Sequence, residues 1–149
     1  MKVVIIGGVA GGAGAAARLR RNDETAEIIM LERNGFISFA NCGLPYYLGD
    51  VITERKNLVL MTPEHFRARF HVDVRVMHEV LSVDPQKKTV TVRNRLTDEQ
   101  YTESYDKLIA APGAGPIRPP FPGMDPQKVF TLRNLEDTFR IKDYMTAQK

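Results

Sequence analysis

At 149 residues, 43% hydrophobic and 26% charged, the chain has the composition of a globular domain with room for a real core, which excludes a disordered or fibrous protein. One cysteine excludes a disulfide scaffold and fits a reducing, cytoplasmic compartment. A net charge of +3 without a basic run or aromatic interleaving suits an anionic small ligand and argues against nucleic acid.

Val3-Val4-Ile5-Ile6 is a short continuous apolar run, the pattern of a strand buried on both faces. Lys2 and the small-residue stretch to Ala17 have the outline of a signal peptide. The stretch is rich in glycine rather than leucine, however, and runs straight into Arg18, Arg20 and Arg21. No run is long and apolar enough to span a membrane. Gly7-Gly8-Val9-Ala10-Gly11-Gly12 follows the strand at once, Ala13 to Arg21 reads as a helix, and Glu27 to Glu32 reads as the next strand. Together they make a β-α-β unit.

Ser38-Phe39-Ala40-Asn41-Cys42-Gly43-Leu44-Pro45-Tyr46-Tyr47 holds the single cysteine. Asn41 is a good N-cap and Pro45 suits a first turn, which predicts a helix starting close to Cys42. A thiol at that position sees the positive end of the dipole, which favours thiolate, and Gly43 leaves room for a ligand beside the sulfur. The competing reading is a small buried packing cysteine. A C-x4-C redox pair needs a cysteine at 47, where Tyr47 stands. A redox-active Cys42 therefore takes its partner from another molecule's sulfur or from a peroxide oxygen.

Thr62 as N-cap and Pro63 at the first position open a helix to about Phe70. Val72 to Val76 alternates like a strand. Glu79 to Val83, Thr89 to Arg93 and Gln100 to Tyr105 read as a three-stranded meander, with turn signals at Asp84-Pro85 and Leu96-Thr97-Asp98. Lys107 to Ala111 is a second buried-type strand, stopped by Pro112-Gly113. Residues 112–126 hold six of the nine prolines and read as an irregular exit segment. Val129 to Leu132 suggests a last short strand. Asn134 with Asp137 resembles a capping box opening a final helix. No internal repeat is visible, and the chain ends in or just after that helix, as a cut at a domain boundary would.

The strand–glycine–helix turn carries the clearest chemistry. A dinucleotide pyrophosphate needs backbone N–H donors at a helix N-terminus with no Cβ in the way. In the G-x-G-x-x-G register Gly7 and Gly12 match the first and third glycines, while Val9 replaces the second, and Gly8 and Gly11 are placed to relieve the crowding. Glu32 ends the next strand 20 residues after Gly12, where a carboxylate accepts from a ribose hydroxyl. A carboxylate there argues for an unphosphorylated adenosine ribose, as in FAD or NAD. Arg18, Arg20 and Arg21 read either as a solvated helix end that complements the dipole or as a phosphate-binding face. His65, His71 and His78 lack metal-ligand spacing.

Gly7 to Ala13 with Glu32, the run Ser38 to Tyr46, Tyr105-Asp106-Lys107-Leu108-Ile109 and Thr131-Leu132-Arg133-Asn134-Leu135-Glu136-Asp137 together resemble the N-terminal part of a coenzyme A-disulfide reductase. Those enzymes form a single-cysteine branch of the flavin- and pyridine-nucleotide-dependent disulfide oxidoreductases. NADH oxidases, NADH peroxidases and persulfide reductases are close relatives.

The resemblance implies an α/β, Rossmann-like FAD-binding domain. Its parallel sheet has helices on one face and the antiparallel meander on the other. Residues 1–112 would form the first segment of a discontinuous FAD-binding domain. Residues 113–149 would be an exit loop and a helix leading toward a separate NAD(P)-binding domain. FAD would be held by Gly7, Gly8, Val9, Ala10, Gly11, Gly12, Glu32, Arg33, Val80 and Ala111-Pro112-Gly113. Pro112 stands where many relatives have threonine, and it removes a backbone donor.

Cys42 would cycle between thiolate and a mixed disulfide with coenzyme A or a related small thiol, with Gly14, Arg18, Arg21, Ser38 and Asn41 around that substrate. Phe70 stands where the family can place a helpful lysine, with Arg67 and Arg69 nearby. NAD(P)H would supply electrons in a full-length, homodimeric, cytoplasmic enzyme. The 149 residues alone are expected to be inactive and to hold flavin weakly or not at all. Two other readings stand beside this one: an NADH oxidase or peroxidase cycling through Cys42 sulfenic acid, and a non-catalytic nucleotide-binding module with a buried, inert Cys42.

Overall fold

The computed structural model describes residues 1–123, 125 and 128–148. In chain order the elements are β1 (Lys2–Ile6), α1 (Ala10–Asn22), β2 (Glu27–Glu32), a 3₁₀ turn (Asn41–Gly43), α2 (Leu44–Leu48), a second 3₁₀ turn (Arg55–Leu58), α3 (Pro63–Phe70), β3 (Asp73–Val76), β4 (His78–Asp84), β5 (Thr89–Asn94), β6 (Gln100–Ser104), β7 (Lys107–Ala110) and α4 (Leu135–Ala147). They form two compact units, residues 1–38 with 61–113 and residues 39–60 with 114–149.

The first unit is built on a parallel sheet of order β3-β2-β1-β7. Alternation along its strands decides what each face meets. Val3, Ile5, Ile28, Met30 and Val74 pack with Ala13 and Ala16 of α1 and Phe66 of α3. Val4, Ile29 and Leu31 point the other way and pack with Val90 and Val92 of the meander. With both faces covered, the strands can be apolar without a break, which is why β1 and β2 read as continuous hydrophobic runs. The small residues of α1 (Gly12, Ala13 and Ala16 are buried) let the helix lie close to the sheet.

The meander β4-β5-β6 is antiparallel, with a register shift between Val80 and Ser82. Its first turn is held by Asp84 Oδ1, which accepts from the backbone N–H groups of Gln86 and Lys87 at 3.0 Å each. Thr62 caps α3 by accepting from the His65 N–H at 3.3 Å. The helix ends at His71 in a left-handed conformation, φ 48°.

In the second unit, Phe39, Leu44, Tyr47, Leu58 and Leu135 are buried. α2 is pinned to α4. The ring of Tyr47 meets that of Phe139 edge-on at 6.1 Å, and Lys142 donates to the Leu48 carbonyl at 3.1 Å, satisfying an acceptor at the C-terminal end of α2. Asn134 caps α4 by accepting from the Asp137 N–H at 2.8 Å. The Asp137 carboxylate turns to Arg140 instead of back to the cap, so only half of a capping box is built. The strand expected at Val129–Leu132 does not form: these residues are irregular, and the strand-type pairing in this unit among the described residues is the single bridge Phe39–Val59. Without a neighbouring strand to accept its ladder, a short apolar run has no reason to extend. No helix among the described residues is long and apolar enough to cross a membrane.

Candidate functional site

The glycine turn is shaped by its own packing. Gly7 has φ 96°, and a Cβ there would lie 2.1 Å from the Ala111 carbonyl oxygen. A Cβ at Gly12 would lie 1.7 Å from the Gly7 carbonyl oxygen, and one at Gly8 2.6 Å from Ile37 Cγ2. Val9 sits at φ −94° and ψ −136°, so the position where the pattern has its second glycine does not take a left-handed backbone here. α1 therefore starts at Ala10, three residues earlier than its sequence pattern suggests. It has no side-chain cap and no acidic residue in its first turn. Its first backbone bond runs from the Ala13 N–H to the Val9 carbonyl, 2.9 Å. The N–H groups of Ala10, Gly11 and Gly12 precede that bond and point out of the helix end. Open donors, the positive dipole end and almost no side-chain bulk make this helix end chemically suited to a diphosphate.

Glu32 is buried at the end of β2. Its Oε2 accepts from the Gly8 N–H at 2.8 Å and its Oε1 from the Asn34 N–H at 2.9 Å. Each oxygen keeps a lone pair for a hydroxyl donor. Beside it is a cleft of about 100 Å³, lined by Gly7, Glu32, Arg33, Val80 and Pro112, with His78 and Glu79 alongside. Five residues assigned to the cofactor from sequence thus meet at one cleft, at the end of the sheet where the glycine turn lies. His78 and Glu79 were missed, although they directly precede Val80. A carboxylate for the ribose and an uncapped helix end for the diphosphate fit the ADP half of FAD. Ala111 is tied to the sheet by its N–H to the Ile6 carbonyl, 2.8 Å, and Gly113 turns the chain away at φ 72°.

The three arginines of α1 separate sharply. The Arg20 head donates to five backbone carbonyls: Phe70, Asp23, Glu24, Ala26 and His71. It is a brace between the ends of α1 and α3, neither a solvated charge nor a ligand group. Arg21 is exposed and spends Nε on the Ala17 carbonyl at 3.1 Å. Arg18 is exposed, and so is Gly14, where an added Cβ would meet nothing within 4 Å. Nothing in the packing of the described residues requires a glycine there. Ser38 closes the first stretch of this unit in a left-handed conformation, φ 45°, with its N–H on the Gly8 carbonyl.

In the second unit Cys42 occupies the middle of the 3₁₀ turn Asn41–Gly43 and is exposed. That overturns the buried packing cysteine. Two local expectations are also corrected. Asn41 does not cap a helix: the turn is entered from Ala40 with no side-chain cap, and the Asn41 carbonyl oxygen Oδ1 accepts instead from Arg133 Nη1 at 3.4 Å. Gly43 is buried, and a Cβ there would press on Leu58, Ala40 and Ile52 at 3.2–3.3 Å, so its smallness serves packing rather than ligand access. The helix that follows has five residues, too few aligned peptides for a strong dipole.

The family model for pyridine nucleotide-disulphide oxidoreductases matches residues 1–149. The chain belongs to this family. A coenzyme A disulfide reductase of Staphylococcus aureus is 45% identical over 148 residues, 99% of this chain and 33% of the relative. The chain thus spans about a third of the length of the curated relatives it matches. Among solved structures, reduced Bacillus anthracis CoADR-RHD is 53% identical with a TM-score of 0.94, covering 99% of this chain and 27% of that one. A NAD-dependent persulfide reductase from A. fulgidus is 33% identical with a TM-score of 0.92, covering 99% and 28%. Members of this family are flavoenzymes, and the open helix end and Glu32 have donors and an acceptor of the kind that the ADP half of a flavin takes.

Proposed function

We propose that this chain is the flavin-side portion of an enzyme that uses NAD(P)H to reduce coenzyme A disulfide or a related disulfide or persulfide, with Cys42 as its redox centre. The observation that carries the reading is the exposed single cysteine in a chain so similar to coenzyme A disulfide reductases. Residues 1–112 are read as the first segment of a discontinuous FAD-binding domain and residues 113–149 as the exit toward a nicotinamide domain. The complete enzyme is read as a cytoplasmic homodimer.

FAD, when bound, supplies the transfer of two electrons from a nicotinamide to a disulfide. The residues of this chain do the rest. The amides of Ala10 to Gly12 would bind the diphosphate, with Gly7, Gly8 and Val9 shaping their approach. Glu32 would accept from the ribose, while Arg33, Val80 and Ala111 to Gly113 border the nucleotide. Cys42 thiolate attacks one sulfur of the substrate disulfide; a bond forms from Sγ to that sulfur and the other half leaves as a thiolate. Delivery of two electrons to the mixed disulfide would return Cys42 as thiolate and release the second half as a thiolate, and the two released thiolates would each take a proton from water. Gly14, Arg18, Arg21, Ser38 and Asn41 are assigned to the substrate. The exposed arginines suit its phosphates, and Gly14 lets a ligand approach the helix backbone.

The test is a mass spectrum of the purified, unreduced protein under native and then denaturing conditions. A coenzyme A adduct on Cys42 that reductant removes is the expected result. A bare thiol that coenzyme A disulfide fails to modify, with FAD bound, overturns the substrate. Dimedone labelling of Cys42 after peroxide treatment would move the assignment to sulfenic acid chemistry.

A further inference from the structure

We infer that Arg133 is a positioning residue for the redox cysteine, acting through the side-chain amide of Asn41. The inference rests on Cys42 being the reactive thiol. Arg133 lies 92 residues from Asn41 in sequence, yet its Nη1 donates to Asn41 Oδ1 at 3.4 Å, while its Nε donates to the Ala114 carbonyl at 2.7 Å. The second bond also holds the guanidinium, so two hydrogen bonds together set which way its head faces.

The chemistry of the pair decides which way the amide faces. A guanidinium carries donors and no acceptor, so the oxygen of Asn41 must be the atom turned toward it. The amide N–H groups of Asn41 then point away from Arg133. Asn41 and Cys42 are consecutive residues of one 3₁₀ turn. Arg133 thereby commits Asn41 to act as a hydrogen-bond donor beside the cysteine, available to a thiolate or to an acceptor on the substrate. Left alone, the amide could flip and offer its oxygen, which would repel both. The cap role expected of Asn41 is absent because Asn41 lies inside the turn, which is entered from Ala40.

A double-mutant cycle tests this in the intact protein, with the variants Arg133→Gln, Asn41→Ala and the pair of them. The primary readout is the rate of Cys42 alkylation by iodoacetamide across pH. A secondary readout is the rate of modification by coenzyme A disulfide. Arg133→Gln is expected to slow alkylation at neutral pH about fivefold and to move its pH midpoint upward, as loss of a donor to a charged group should. Asn41→Ala is expected to do the same. In the Asn41→Ala background, Arg133→Gln should add nothing, because its route is gone. Any loosening from the lost hold on Ala114 would persist in the Asn41→Ala background as a small residual effect, so the coupling between the two substitutions is the quantity the cycle reads. Arg133→Lys, which keeps a donor-only head, should restore part of the rate.

Additive effects, or an unchanged pH midpoint in Arg133→Gln, overturn the inference. Iodoacetamide needs only a thiol, whereas coenzyme A disulfide needs the substrate site. If the cycle holds with iodoacetamide while coenzyme A disulfide does not react even with the wild type, the substrate assignment fails and the role of Arg133 stands.

Discussion

Gly7 is packed against Ala111 so tightly that a Cβ on it would fall 2.1 Å from the Ala111 carbonyl oxygen. The two residues sit at the C-terminal ends of neighbouring parallel strands, and the Ala111 N–H bonds the Ile6 carbonyl one residue before the glycine. The close approach fixes where the turn leaves the sheet, and hence where the open amides of α1 point.

The first prediction contrasts two glycines of that region. Gly7→Ala forces both a backbone clash and a side chain at positive φ, and is expected to prevent the turn from forming, with loss of a cooperative thermal transition. Gly14→Ala meets open space in the interior of α1, and should raise stability by about 1 kcal/mol through helix propensity alone. If Gly14 serves the substrate, the same variant slows modification of Cys42 by coenzyme A disulfide while the melting temperature rises. A variant that is more stable and equally reactive removes Gly14 from the site.

The second prediction separates the arginines. Arg20→Met leaves five backbone carbonyls without their shared donor, and is expected to cost about 3 kcal/mol in a denaturant titration. Arg18→Ala should change stability by no more than about 0.5 kcal/mol. It should slow reaction with coenzyme A disulfide about tenfold, in a manner that salt erases, as expected for loss of a phosphate contact.

A third prediction concerns acid. Glu103 accepts from Lys2 Nζ and Arg75 Nη1, each at 2.6 Å. Burial pushes its carboxyl upward, but the hydrogen bonds from Lys2 and Arg75 outweigh that and hold it below the ordinary glutamate range. A carboxyl lowered in the folded state contributes stability above its unfolded pKa, and the contribution is lost as pH falls through the folded value. Glu103→Gln should therefore cost about 2 kcal/mol at pH 7. The gap from wild type should shrink as pH drops below about 4. A gap that stays constant between pH 7 and pH 3.5 would show that Glu103 works through shape rather than charge.

Local chemistry made much of this fold legible. Continuous apolar runs gave the buried strands, Thr62 with Pro63 and Asn134 with Asp137 marked two helix starts, and Asp84 marked a turn. The glycine spacing with Glu32, 20 residues beyond Gly12, pointed to an open helix end beside a buried carboxylate, and the other features each lie within a few residues of chain. What stayed hidden depends on partners far along the chain. Asn41 has the chemistry of a cap, yet it lies inside a turn entered from Ala40, and its oxygen accepts from the distant Arg133. Arg20 looks like its neighbours until the carbonyls of Phe70 and His71 arrive beside it. Val129 to Leu132 has strand composition but is irregular, with no strand paired to it among the described residues.

The last prediction concerns Glu32, whose two oxygens each take a backbone N–H, from Gly8 and Asn34. Glu32→Gln preserves size but exchanges one acceptor for a donor, so one of those N–H groups faces another N–H in a buried setting. Leaving such a group unsatisfied costs about 2 kcal/mol. Because the Gly8 N–H belongs to the glycine turn, the loss should also loosen that turn. The expected outcome is a lower melting temperature without flavin and a smaller FAD content per chain by absorbance. Glu32→Asp retains two acceptors on a shorter stem, so it should recover more flavin than stability. An FAD affinity unchanged in Glu32→Gln would mean that the ribose does not lie against this carboxylate.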